Sequence, residues 1–195
     1  MPVLNDDALD VLFRHARSQN GFLPDPVSDD LLKEIWTLAE LGPTSANSSP
    51  LRVVFIRSAE GKARLRPALS PGNVDKTMAA PVTALFAYDM EFYEKLPVLF
   101  PAYDMRPLFA GNAARAEQSA RMNAALQAAY FMLAARSRGL DCGPMGGFDT
   151  AKTDAEFFAG TPWRSLFLCN LGHGDPAKLH PRLPRLAFDE ACKVV

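Results

Sequence analysis

The run from Asn112 to Arg138 limits most strongly what this chain can fold into. Its centre, MNAALQAAYFMLAA at 122–135, is apolar on nearly every face, and a helix with that pattern is buried all round. A chain of 195 residues has little core with which to surround so long a helix. The alanines would let a second helix approach closely, so the pattern predicts a helix–helix contact between two copies, a homodimer. Directly behind it stands GLDCGPMGGF at 139–148. Gly139 reads as the helix C-cap, and the glycines and proline that follow exclude regular helix. Backbone without Cβ atoms could let a flat ligand lie against main-chain N–H groups.

The remaining elements follow from periodicity and punctuation. Residues 6–17 carry Leu9, Leu12, Phe13 and Ala16 at helical spacing, with Asn20-Gly21 as a stop. Ser28-Asp29-Asp30 caps a second helix whose Leu31, Leu32, Ile35, Leu38 and Ala39 face inward, closed by Gly42-Pro43. LRVVFI at 51–56, VTALFAY at 82–88 and WRSLFLCNLG at 163–172 predict three strands. Residues 59–69 read as a basic surface helix, and 73–80 as a short helical turn. The segment 90–111, rich in aromatics and prolines, has little periodicity and reads as a lid or binding loop. From 173 onward an extended arm is expected. The whole is one α+β domain over 1–195 with a mixed sheet.

Charge and cysteine content narrow the function. Twenty-one basic residues offset 22 acidic ones without a basic stripe, which argues against nucleic acid as a partner. No apolar run approaches the roughly 20 residues of a membrane span. Cys142, Cys169 and Cys192 are far apart and lack metal spacing, so a reducing cytoplasm is the expected location. His15, His173 and His180 have no serine in a nucleophile elbow to serve, and neither a Walker loop nor G-x-G-x-x-G follows a strand. Cys142 reads as a buried, inert thiol. A chain without acid–base machinery is best explained if a cofactor carries the chemistry.

Five motifs then share a likeness. ARSQNGF at 16–22, GPTSANSSP at 42–50, GNVDK at 72–76, PMGGF at 144–148 and HPRLP at 180–184 resemble, in order, the motifs of the flavin-dependent nitroreductase family. The resemblance implies an FMN-binding three-layer α+β sandwich, a mixed sheet with helices on both faces, dimerised through long helices. It implies FMN in the dimer cleft, NADH or NADPH as reductant, and a small-molecule acceptor.

Residue by residue, the likeness assigns Arg17 and Ser18 to the FMN phosphate and ring edge, and Arg182 to the phosphate. It assigns Pro43, Thr44, Ser45 and Asn47 to the flavin of the partner subunit. Asn73 and Lys76 would hydrogen-bond the pyrimidine edge, and Pro144, Met145, Gly146 and Gly147 would lie under the ring. The family's Trp after the proline of the second motif is Leu51 here, its frequent Glu is Gly146, and its Lys near Arg182 is missing. A narrower likeness is to malonic semialdehyde reductases of uracil breakdown, carried by GNV-K-TMAAPVTA at 72–84 and LCNLG-GDP at 168–176. Other acceptors it leaves open are quinones and nitroaromatics, and a third possibility is FMN binding without acceptor turnover. Arg106, Arg115 and Arg121 are the cations available to a small acid.

Overall fold

The computed structural model describes residues 2–195. Four strands, β1 (Leu51–Ile56), β2 (Val82–Asp89), β3 (Asp141–Met145) and β4 (Trp163–Gly172), form one sheet in the order β1-β2-β4-β3. Every strand pair is antiparallel, whereas the sequence predicted a mixed sheet. Parallel pairing is confined to an isolated bridge between Ser18 and Cys142. Three of the strands coincide with the predicted runs. β3 was not among the predicted strands; its Gly143 and Pro144 exclude regular helix and disfavour strand as well. It forms at the sheet edge, where a missing N–H breaks no ladder.

β2 is buried at every position because helices cover both faces of the sheet. On one side α2 (Asp29–Ala39) and α6 (Ala113–Ser137) pack Ile35, Phe131 and Ala128 against Phe86 and Leu171. Phe131 meets the Phe86 ring edge-on at 5.2 Å. On the other side α3 (Ala59–Leu65), α4 (Pro71–Ala79) and α7 (Thr150–Phe157) cover a second cluster of Leu65, Leu85, Leu168 and Phe158. The expected three-layer α+β sandwich is therefore present.

Local chemistry explains the helix ends. Ser28 accepts from the Leu31 N–H at 3.1 Å and starts α2. Gly139, at φ 82°, ends α6 in the left-handed region, while the Leu140 N–H returns to the Ala135 carbonyl at 2.9 Å. Leu38, expected inward, lies on the flank of the buried stripe and is exposed. The first helix is shorter than 6–17: α1 (Asp6–Leu9) runs into a π-type turn at Asp10–Arg14. Beyond it, Gln19 leaves helical geometry because its N–H pairs with the Cys142 carbonyl at 2.9 Å.

Two other expectations are corrected by packing. The segment 90–111 is no loose lid: Phe92, Leu96 and Phe109 insert into the core, and α5 (Leu96–Leu99) and two 3-10 turns order the chain between them. The 59–69 region is not wholly a surface helix, since Lys62 and Leu65 point into the protein. α6 itself is two-sided in a single chain. Ala120, Ala124, Ala128 and Phe131 are buried, while Met122, Leu126 and Tyr130 stay 57%, 47% and 42% exposed on the opposite face.

Candidate functional site

One end of the site is cationic. Arg17, Ser18, Arg136, Arg182 and Arg185 line a cavity of about 410 Å³ whose lining contains no carboxylate. The chain builds it from three distant pieces: the 16–18 segment, the last turn of α6 and the C-terminal arm. Backbone carbonyls hold the guanidiniums in place. Arg182 donates to the carbonyls of Arg14 and Ala16 at 2.6 and 2.9 Å. Arg17 donates to the His180 carbonyl, and Arg136 to the Leu12 carbonyl at 3.1 Å. Guanidiniums with spare N–H groups and no acid nearby are suited to a phosphate. Arg136 and Arg185 were not predicted; no local pattern marks them, because they meet the others only in the fold.

Gly143 makes this end possible. A Cβ there would sit 2.6 Å from the Gln19 carbonyl oxygen, so any side chain would push the 16–22 segment off the strand. From Cys142, beside Ser18, β3 then runs about 13 Å to Gly146 at roughly 3.3 Å per residue.

The other end lies beyond β3. Asn73 of α4 donates its side-chain amide to the Gly147 carbonyl at 2.8 Å, and the Ser70 N–H donates to the same oxygen at 3.0 Å. Gly147 is not in the left-handed region. A Cβ on it would lie 2.5 Å from Asn73 Nδ2, so the residue that a side chain there strikes first is Asn73. Gly146 has open space around it. Asn73 is thus joined to Gly147 just beyond β3, Lys76 stands one turn further along α4, and Pro144 lies exposed on the edge strand.

A buried polar network supports this end. Lys62 donates to the Thr77 carbonyl at 2.7 Å and to Thr83 Oγ1 at 2.6 Å. Thr83 donates to Asn170 Oδ1 at 2.7 Å, and Asn170 reaches the Lys76 carbonyl at 3.3 Å. Burial pushes the Lys62 ammonium down to about 8. The network ties α3 and α4 to β2 and β4 beneath Asn73 and Lys76.

The 42–50 loop sits elsewhere in the chain. Ala46, Asn47 and Ser49 adopt φ of 51°, 50° and 42°, unusual for residues with a Cβ. The surroundings enforce it: Asn123 accepts from the Ser45 N–H at 2.7 Å, Asn47 donates to the Leu99 carbonyl at 3.0 Å, and Thr44 Oγ1 accepts from the Ser49 N–H at 3.1 Å. Strain of this kind, of order 1 kcal/mol or more per residue, persists where neighbours over-determine the backbone. Asn123, which anchors this loop, and Arg136 are separated by about 20 Å of α6 at 1.5 Å per residue. Pro43, Thr44, Ser45 and Asn47 are therefore apart from the cationic cavity of their own chain.

The three cations available to a small acid each have a neighbour in the chain. Arg106 grips Asp104 at 2.9 and 2.7 Å, Arg115 lies over Phe109, and Arg121 lies over Tyr88 with Glu117 at 3.7 Å. Among the described residues no group of three or more His, Cys, Asp or Glu could hold a metal ion.

The model of the Nitroreductase family matches residues 13–173. The chain belongs to the nitroreductase family. Its similarity to two bacterial relatives covers nearly the whole of each chain. A Xanthomonas oryzae pv. oryzae protein named "Putative NADH dehydrogenase/NAD(P)H nitroreductase" is 58% identical over 97% of both chains. A Stenotrophomonas maltophilia protein of the same description is 57% identical over 98% of this chain and 97% of its own. Among solved structures, a nitroreductase family protein of Streptococcus pneumoniae superposes with a TM-score of 0.81 at 24% identity, over 94% of this chain and 98% of that one. A structure from Exiguobacterium sibiricum, in complex with FMN, has a TM-score of 0.82 at 21% identity over all of both chains. These likenesses establish the nitroreductase fold. No helix among the described residues is long and apolar enough to cross a membrane.

Proposed function

We propose that this chain is an FMN-dependent NAD(P)H oxidoreductase that works as a homodimer. The observation that carries the proposal is the pairing of a carboxylate-free arginine cavity with the Asn73–Gly147 corner at the two ends of β3. An elongated ligand with a phosphate at one end and a planar hydrogen-bonding group at the other fits that arrangement. The chain's nitroreductase relatives support the same assignment.

FMN, when bound, would supply hydride transfer through N5 between NAD(P)H and the second substrate. Arg17, Ser18 and Arg182 would bind its phosphate through charge-assisted hydrogen bonds. Asn73, its amide N–H held by Gly147, presents Oδ1 to a donor on the ring's pyrimidine edge. Lys76, whose ammonium makes no ion pair among the described residues, would stabilise negative charge on that edge. Gly146 and Gly147 leave the backbone accessible beneath the ring, and Pro144 and Met145 of β3 complete that floor. No protein nucleophile is needed, because orientation of the two reactants supplies much of the rate.

Pro43, Thr44, Ser45 and Asn47 would reach the flavin of the other subunit, which accounts for a loop held in costly geometry far from its own cavity. The apolar face of α6 at Met122, Leu126 and Tyr130 is the contact we assign to the dimer.

For the acceptor we propose a small oxidised molecule. Likeness to the malonic semialdehyde reductases supports an aldehyde acid, reduced to 3-hydroxypropionate. The pairing of Arg106 with Asp104 favours instead an uncharged quinone or nitroaromatic, because it removes one of the three cations from a carboxylate's reach. Steady-state rates with NADH or NADPH against malonic semialdehyde, a benzoquinone and a nitroaromatic decide between them. Flavin that NAD(P)H does not bleach anaerobically would overturn the oxidoreductase assignment and leave FMN binding alone.

A further inference from the structure

We propose that Arg136 is a direct ligand of the flavin phosphate and sets the preference of this protein for FMN over unphosphorylated flavin. The assignment rests on reading the arginine cavity as the phosphate end of the FMN site, and adds to it a residue that none of the five motifs contains.

Four guanidiniums, those of Arg17, Arg136, Arg182 and Arg185, share one cavity lined by no carboxylate. Four like charges at close quarters repel, and the repulsion is relieved by an anion among them. Arg136 differs from the other three in two ways. Arg17 lies in the irregular segment after the first helix, and Arg182 and Arg185 lie in the arm, whereas Arg136 stands in the last turn of the 25-residue α6. Its position is therefore set by the helix–sheet core and not by the ligand.

Its hydrogen bonding is also incomplete. One terminal nitrogen donates to the Leu12 carbonyl at 3.1 Å, and the other terminal nitrogen of this cavity-lining guanidinium has no acceptor among the described residues. The cavity lining includes Ser18, Asn20 and His180 beside the arginines and apolar residues, but it offers no carboxylate to the guanidinium. A phosphate monoester supplies several acceptor oxygens and the opposite charge. The fork of a guanidinium matches that geometry, whereas a lysine ammonium does not.

The test compares FMN with riboflavin, which differ by the phosphate alone. Dissociation constants are measured by quenching of flavin fluorescence for wild type, Arg136→Gln and Arg136→Lys, with the fold of each checked by circular dichroism. Arg136→Gln is expected to weaken FMN about ten-fold or more while riboflavin changes less than two-fold. Arg136→Lys should fall between wild type and the glutamine variant, and carries the comparison if the glutamine variant does not fold. Equal losses for both flavins would mean a structural role and overturn the assignment, as would unchanged FMN affinity. Wild-type protein that binds neither flavin would overturn the FMN site itself, and this assignment with it.

Discussion

The side-chain amide of Asn73 donates to the carbonyl of Gly147 at 2.8 Å, across 74 residues of sequence. This bond joins α4 to the end of β3 and fixes which face of Asn73 is left for a ligand. It works only because position 147 has no Cβ, which would sit 2.5 Å from the donating nitrogen.

Gly147→Ala is therefore expected to displace Asn73, and Asn73→Ala to remove it, each weakening FMN by the value of a hydrogen bond, about 1 kcal/mol or several-fold in Kd. The double variant should be hardly worse than either single one, since both act on one contact. Fully additive losses in fluorescence titrations would separate the two residues.

Arg182→Ala should weaken FMN about ten-fold or more, the loss of a charge-assisted phosphate contact worth roughly 1.5–3 kcal/mol. Its two bonds to the Arg14 and Ala16 carbonyls go as well, so the arm from 179 onward should become more susceptible to limited proteolysis. An FMN titration that matches wild type would remove Arg182 from the site.

Lys62 makes stability depend on pH. Its folded value of about 8 lies below that of an unfolded lysine near 10.5, so between these the unfolded chain binds more protons. Stability from this group is accordingly lowest below pH 8 and rises as pH passes from 8 toward 10.5. Urea melts at pH 7.5 and 9.5 should show wild type gaining about 2 kcal/mol relative to Lys62→Met over that interval. Parallel curves for the two proteins would show that Lys62 does not titrate in this window.

Leu126→Asp places a charge in the exposed apolar stripe of α6. Light scattering should report a monomer at micromolar concentration where the proposed dimer is expected for wild type, with most of the flavin lost if the 42–50 loop serves the other subunit. A variant that remains dimeric would move the interface to another face.

Where structure depends on neighbours in sequence, the residues alone were sufficient. The Ser28 cap, the β-branched runs of β1 and β2, the length of α6 and its stop at Gly139 all follow from local propensity and periodicity. The five motifs were legible because each is a short run. Only the tertiary structure decided β3, whose Gly143 and Pro144 oppose strand until β4 supplies partners and Gln19 needs the room. It alone decided that Phe92, Leu96 and Phe109 anchor a segment without periodicity, and that Lys62 turns inward to reach Thr77 and Thr83. It alone brought Arg136 beside Arg17 and Arg182, residues 119 and 46 positions away. Local patterns encode how a segment bends and which side it buries. Which distant segment meets that side is fixed by packing the whole core, and the cationic end of the site is made entirely of such meetings.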